Sequence, residues 1–80
     1  MKDQASQTLA NMKAVLEAAG LAVTDIAKTT VFVTNMDDFA AFNEVYAAFM
    51  GEHRPARVCV EVSNIAHGCL LEMDAICFQE

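Results

Sequence analysis

The sequence predicts an α+β fold in which a mixed β-sheet carries two helices on one face. Two segments repeat apolar residues at helical spacing, and three others are β-branched or alternate apolar with polar residues. These elements follow one another as helix, strand, helix, strand, strand. At 80 residues the chain forms one domain at most, over 1–80.

The first helix is expected from about Ser6 to Ala19. One side of this segment repeats apolar residues at helical spacing: Leu9, Met12, Leu16 and Ala19. Gly20 follows, and glycine ends helices because it enters the left-handed conformation without penalty. The next stretch, Ala27 to Thr34, is rich in β-branched residues and predicts a strand that is apolar on both faces.

A second amphipathic helix is expected from Phe39 to about Met50-Gly51. Before it, Asn35–Asp38 supplies turn residues and aspartates that can cap a helix start. Aromatic and aliphatic residues then recur at three- and four-residue steps: Phe39, Phe42, Val45, Tyr46 and Phe49. Pro55 excludes helix beyond this point.

Two more strands complete the chain. Valines alternate with Cys59 and Glu61 over Val58–Val62, and Leu71–Phe78 alternates in the same way after a turn at Asn64–Gly68. The strand–helix–strand unit predicts a parallel pair with a right-handed crossover, and the last two strands predict an antiparallel hairpin. With both helices on one face, the other face is expected to be half polar and to meet water, a ligand or another subunit; its polar residues would be Cys59, Glu61, Glu72 and Asp74.

Composition excludes several partners and favours others. The net charge is −6, and the five basic residues are scattered, so a nucleic acid or an anionic membrane is not an expected partner. The 55% hydrophobic content is high for so small a chain and favours a homo-oligomer. Three cysteines without CxxC spacing, and no signal peptide or membrane span, indicate free thiols in the cytoplasm and no metal site.

Four side chains are candidates for a site. Arg57 follows Pro55-Ala56 at the start of a predicted strand, and its guanidinium can hold a carboxylate bidentately. Glu72 is expected to lie close to Arg57 across the hairpin, where its carboxylate could orient water. The alternative is an ordinary cross-strand ion pair. Asn43 is either a site residue or a helix-surface residue, and Cys59 is either a thiolate beside Arg57 or a small core residue.

Three segments in order resemble consecutive blocks of the RidA family, the YjgF-like reactive-intermediate deaminases. They are Lys28–Thr34, Asp38–Tyr46 and Pro55–Val62, and within the last the Pro-Ala-Arg-x-Cys run is the most specific. The opening helix, Asn11–Gly20, and the final strand, Leu71–Ile76, also match. The resemblance covers nearly the whole chain.

The resemblance implies a chorismate-mutase-like fold that assembles as a trimer with a site in each cleft between subunits. It implies hydrolysis of reactive 2-imino and 2-enamino acids, such as 2-aminoacrylate, to 2-oxo acids and ammonia without a cofactor. The carboxylate-binding arginine of the family falls on Arg57 and the water-orienting glutamate on Glu72. The substrate-binding asparagine and cysteine fall on Asn43 and Cys59.

This sequence also departs from the family pattern. The strands that precede the first helix in family members are lacking, so we expect an N-terminally truncated RidA-like domain. Ile65-Ala66 replaces a Leu-Pro pair, and Asp74 replaces a common second glutamate of the last strand. The alternative to a deaminase is therefore a non-enzymatic binding or fragment protein with this fold and an incomplete pocket. A ribonuclease is disfavoured, because the acidic chain has no surface for phosphates.

Overall fold

In the computed structural model, which describes residues 1–79, three strands form one mixed sheet under two α-helices. This confirms the predicted α+β class and element order. The helices and strands are α1 (Lys2–Ala18), β1 (Ile26–Val33), α2 (Phe39–Met50), β2 (Ala56–Glu61) and β3 (Leu71–Cys77). No helix within residues 1–79 is long and apolar enough to cross a membrane.

Helix α1 ends as predicted but starts earlier, at Lys2 instead of near Ser6. The first turn is fixed because Ala5 is fully buried and its N–H donates to the Met1 carbonyl at 2.9 Å. At the other end Gly20 takes φ = 74°, the left-handed conformation expected of it. The N–H of Leu21 then donates to the Leu16 carbonyl at 2.8 Å and closes the helix.

The order of the strands is β2-β1-β3, so the predicted hairpin between the last two strands is wrong. Strand β1 lies between them, parallel to β2 and antiparallel to β3. The segment 62–70 crosses the end of β1 instead of turning tightly: Val62 N–H donates to the Val33 carbonyl and Thr34 N–H to the Leu70 carbonyl. A strand that is apolar on both faces gains most from the central place, where both of its edges are paired.

The two helices cover one face of the sheet, as predicted. Thr29, Val31 and Val33 point to the helices and are fully buried. They form one core with residues of both helices and of β3: Ala5, Leu9, Leu16, Phe42, Tyr46, Met50 and Leu71. Asn35, not an aspartate, caps the turn before α2, since its Oδ1 accepts from Asp37 N–H at 2.9 Å.

The open face of the sheet differs from the prediction in two residues. Side chains alternate along a strand, and paired residues share a face. Cys59 and Glu61 pair with Val31 and Val33 and therefore lie on the helix side. Glu72 and Asp74 do lie on the open face, together with four apolar residues of the three strands: Phe32, Val58, Val60 and Ile76.

Candidate active site

Arg57 lies near the start of β2 on the helix face of the sheet. It pairs with Thr29 of β1, and its guanidinium reaches across to α2. Nη1 donates to Oδ1 of Asn43 at 2.6 Å. The guanidinium carbon also lies 4.8 Å from the ring centre of Tyr46 and 5.1 Å from that of Phe39. A hydrogen bond and two aromatic rings thus fix the orientation of an exposed cation.

A buried hydrogen bond between Thr29 and Tyr46 supports this arrangement from the core side. The hydroxyls of Thr29 and Tyr46 are 2.9 Å apart, and both side chains are buried. A tyrosine hydroxyl needs a partner when its ring enters a core, and Thr29 provides one on the central strand. The bond ties the middle of α2 to β1 and so holds the Tyr46 ring in place under Arg57.

Arg57 and Asn43 line a cleft of about 450 Å³ between the end of α2 and the start of β2. The other residues that line it are Tyr46, Ala47, Met50, Arg54 and Pro55. Asn43 occupies one nitrogen of Arg57, and no carboxylate of residues 1–79 forms an ion pair with this arginine. A planar guanidinium with unused donors is suited to a carboxylate, which it can bind with two parallel hydrogen bonds.

Glu72 does not approach Arg57 within the chain, so the predicted proximity is wrong. Glu72 pairs with Phe32 on the open face, whereas Arg57 lies on the helix face and β1 separates the two strands. From strand spacing and rise, their Cα atoms are on the order of 14 Å apart, with side chains that point in opposite directions. The alternative of a cross-strand ion pair between them is excluded by the same topology.

Cys59 lies two residues after Arg57 on β2, so both side chains are on the same face of the sheet, and Cys59 is half-buried against the core. Burial raises the pKa of its thiol, and the positive charge of Arg57 opposes that rise only in part. The sequence left open a thiolate at this position. The structure favours the neutral thiol, because the loss of hydration outweighs the attraction of Arg57.

The side chain of Asn43 contacts Arg57, and its role in substrate binding stays a prediction. Phe39, Tyr46 and Arg54 were not among the predicted site residues. Tyr46 carried a usable signal, since it is the one hydroxyl in the apolar stripe of α2 and has to find a polar partner. Arg54 is one of two arginines in the chain, and it precedes Pro55 directly.

Comparison with known proteins identifies relatives over most of the sequence. The sequence matches the profile of the family described as endoribonuclease L-PSP over residues 1–79. It is 51% identical over 80 residues to a RutC family protein of Pyrococcus horikoshii, and this match covers 100% of the chain and 64% of the relative. It is 53% identical over 76 residues to the 2-iminobutanoate/2-iminopropanoate deaminase of Escherichia coli, covering 91% of the chain and 59% of that protein. The chain therefore spans less than two thirds of the length of these relatives.

A solved structure gives the same picture. The crystal structure of Escherichia coli TdcF with bound serine superposes with a TM-score of 0.94 at 46% identity, covering 99% of the chain and 65% of TdcF. The mixed sheet and the two helices therefore belong to a fold common to these proteins.

Proposed function

The chain belongs to the endoribonuclease L-PSP family, which includes the RidA-type deaminases, and we propose that it hydrolyses reactive 2-imino and 2-enamino acids. The products would be 2-oxo acids and ammonia. The observation that supports this most is Arg57, a rigidly held guanidinium that lines an open cleft and forms no ion pair with any carboxylate of residues 1–79. The bound serine of TdcF, an amino acid with a carboxylate, is consistent with such a site.

In the proposed reaction Arg57 binds the substrate carboxylate and sets its position. Asn43 and the rings of Phe39 and Tyr46 fix the guanidinium before the substrate arrives. The side chain of Arg57 therefore loses little conformational freedom when the substrate binds. Neutralising the carboxylate also makes the neighbouring imine carbon more electrophilic. An enamine substrate first takes up a proton from solvent at its terminal carbon and becomes the protonated imine.

Water then adds to the carbon of the protonated imine. Glu72 is the group proposed to orient this water and accept its proton. Glu72 returns this proton to the nitrogen of the resulting amino alcohol, and the C–N bond then breaks to release ammonia. The hydroxyl proton passes to solvent as the C=O bond of the 2-oxo acid forms. Glu72 carries no hydrogen bond or ion pair to other side chains within residues 1–79, so its carboxylate is available for water.

Because Arg57 and Glu72 lie on opposite faces of one sheet, a single copy cannot bring them to the same substrate. We propose that Glu72 comes from a neighbouring copy in a homotrimer. The open sheet face supports an assembly, since Val58, Val60 and Ile76 are 43%, 37% and 62% exposed there. Cys59, as a neutral thiol beside Arg57, is proposed to contact the substrate and not to attack it.

RNA cleavage, which the family name suggests, has less support in this chain. Its net charge is −6, and its arginines are confined to one small cleft instead of tracking along a surface. Prediction: the protein leaves single-stranded RNA uncut under conditions in which it hydrolyses imines.

The test measures 2-oxo acid release from 2-iminobutanoate or 2-iminopropanoate generated in situ by a threonine dehydratase or an amino-acid oxidase. We expect an acceleration over spontaneous hydrolysis. Arg57→Lys keeps the charge but loses the planar fork, and it should lower kcat/KM by roughly 30-fold or more, which is about 2 kcal/mol.

Glu72→Gln should lower kcat more than it raises KM, because it acts on water and not on the carboxylate. Asp74→Asn, a matched change on the same strand and face, should stay near wild type. If the protein is folded and oligomeric but gives no acceleration, it is a non-enzymatic binding protein and not a deaminase. Wild-type rates in Arg57→Lys would remove Arg57 from its proposed role.

A further inference from the structure

The cleft contains a second cation, Arg54, that the proposed reaction does not use. Within residues 1–79, the ion pairs are Lys2–Glu44 at 2.6 Å and Lys13–Glu17 at 4.0 Å. Neither arginine takes part in one, although the chain carries 11 acidic residues. Both arginines of this acidic chain thus lie at one cleft, and neither pairs with a carboxylate of residues 1–79.

Arg54 is held in place by the main chain at the end of α2. Its Nη1 donates to the carbonyl of His53 at 3.0 Å and to the carbonyl of Gly51. Both bonds use the same nitrogen, and no bond from Nε or Nη2 to another described residue is present. A guanidinium has five N–H donors, so most of those on Arg54 face solvent in the cleft.

The spacing of the arginines sets the length of a ligand that could contact both. Pro55 and Ala56 separate them, and an extended chain places their Cα atoms at most about 10 Å apart. Three apolar residues, Ala47, Met50 and Pro55, line the same cleft. A short carbon chain with an acidic group at each end suits a cleft that has two cations and apolar side chains in its lining.

We infer that this cleft prefers a 2-imino dicarboxylate, with Arg57 on the carboxylate next to the imine and Arg54 on the distal carboxylate. This rests on the proposed function for the reacting end of the substrate. Arg54 is then a specificity residue, which selects five-carbon diacids over monocarboxylates of similar length.

The test compares two stable product-like probes, 2-oxoglutarate and 2-oxobutanoate, which share the reacting end and differ in the distal carboxylate. Calorimetric titration should show that 2-oxoglutarate binds the wild-type protein at least about tenfold more tightly. Arg54→Gln should abolish that preference and leave 2-oxobutanoate binding unchanged. Lys13→Gln, which removes one positive charge from exposed α1, should keep the preference.

Equal affinity for the two probes, or an unchanged preference in Arg54→Gln, overturns the inference, as does failure of both probes to bind. Parallel assays with the matching imines separate it from the proposed function. Hydrolysis of 2-iminobutanoate without any preference for 2-iminoglutarate overturns the diacid site alone. Arg54-dependent binding of 2-oxoglutarate without hydrolysis of either imine supports the diacid site and overturns the deaminase.

Discussion

Removing the hydrogen bond between Thr29 and Tyr46 should lower the stability of the fold and leave the activity nearly unchanged. Thr29 is 0% exposed and Tyr46 is 6% exposed, and their hydroxyl oxygens are 2.9 Å apart. Tyr46→Phe removes one hydroxyl and leaves that of Thr29 buried without a partner. The cost of such an unpaired group is about 1–3 kcal/mol of unfolding free energy. In a domain of this size, about 1 kcal/mol lowers the melting temperature by roughly 4–8 °C.

The second variant makes the prediction sharper. Thr29→Val replaces the hydroxyl with a methyl group of similar size, so it should destabilise the protein by a comparable amount. The double variant Thr29→Val/Tyr46→Phe leaves no buried polar group unpaired, and it should be more stable than the sum of the single changes predicts. The difference, the coupling energy, should be about 1–3 kcal/mol.

Urea unfolding followed by circular dichroism at one fixed protein concentration measures all four proteins, since an assembly makes stability depend on concentration. The phenyl ring that remains in Tyr46→Phe still lies under Arg57, so kcat/KM should stay within a few-fold of wild type. Additive effects of the two single changes would refute the reasoning. A loss of activity as large as that of Arg57→Lys would also do so, because the hydroxyl would then act on the substrate.

Two further predictions concern the neighbours of Arg57. Asn43→Leu removes the acceptor of its 2.6 Å hydrogen bond, and KM for the imine should rise by about tenfold while the melting temperature changes little; an unchanged KM would show that the bond does not orient the guanidinium. Since burial raises the pKa of Cys59, less of it is thiolate at pH 8 than of an ordinary thiol, and iodoacetamide should label the exposed Cys69 first. Faster labelling of Cys59 in peptide mass maps would mean that Arg57 dominates its pKa.

Local sequence patterns predicted the elements, the parallel β1–β2 pair and the single helix-covered face, but not the order of the strands. Helical spacing and glycine ends located α1 and α2, because both signals depend on residues within one or two turns. The sequential neighbours β2 and β3 were assigned to a hairpin, whereas β1 lies between them. The apolar residues on both faces of β1 were the available signal, since such a strand is best placed in the middle of a sheet.

The candidate site shows the same division. Arg57 was identified from its position after Pro55 and Asn43 from its place on the second helix, and the structure places the two side chains in contact. The expected contact with Glu72 failed because it depended on the strand order. Arg54 was overlooked because its importance comes from a cleft between α2 and β2, which no local pattern reveals.

Subunit mixing tests the central claim, that Arg57 and Glu72 meet across two copies, most directly. Arg57→Ala and Glu72→Gln are each expected to be nearly inactive alone, and circular dichroism should show that both remain folded. When the two variants are co-assembled in equal amounts, about one quarter of the sites between copies combine an intact Arg57 with an intact Glu72. Imine hydrolysis should therefore recover to about a quarter of the wild-type rate. If the mixture is no more active than the two variants measured separately, the two residues do not come from different copies, and the account is contradicted.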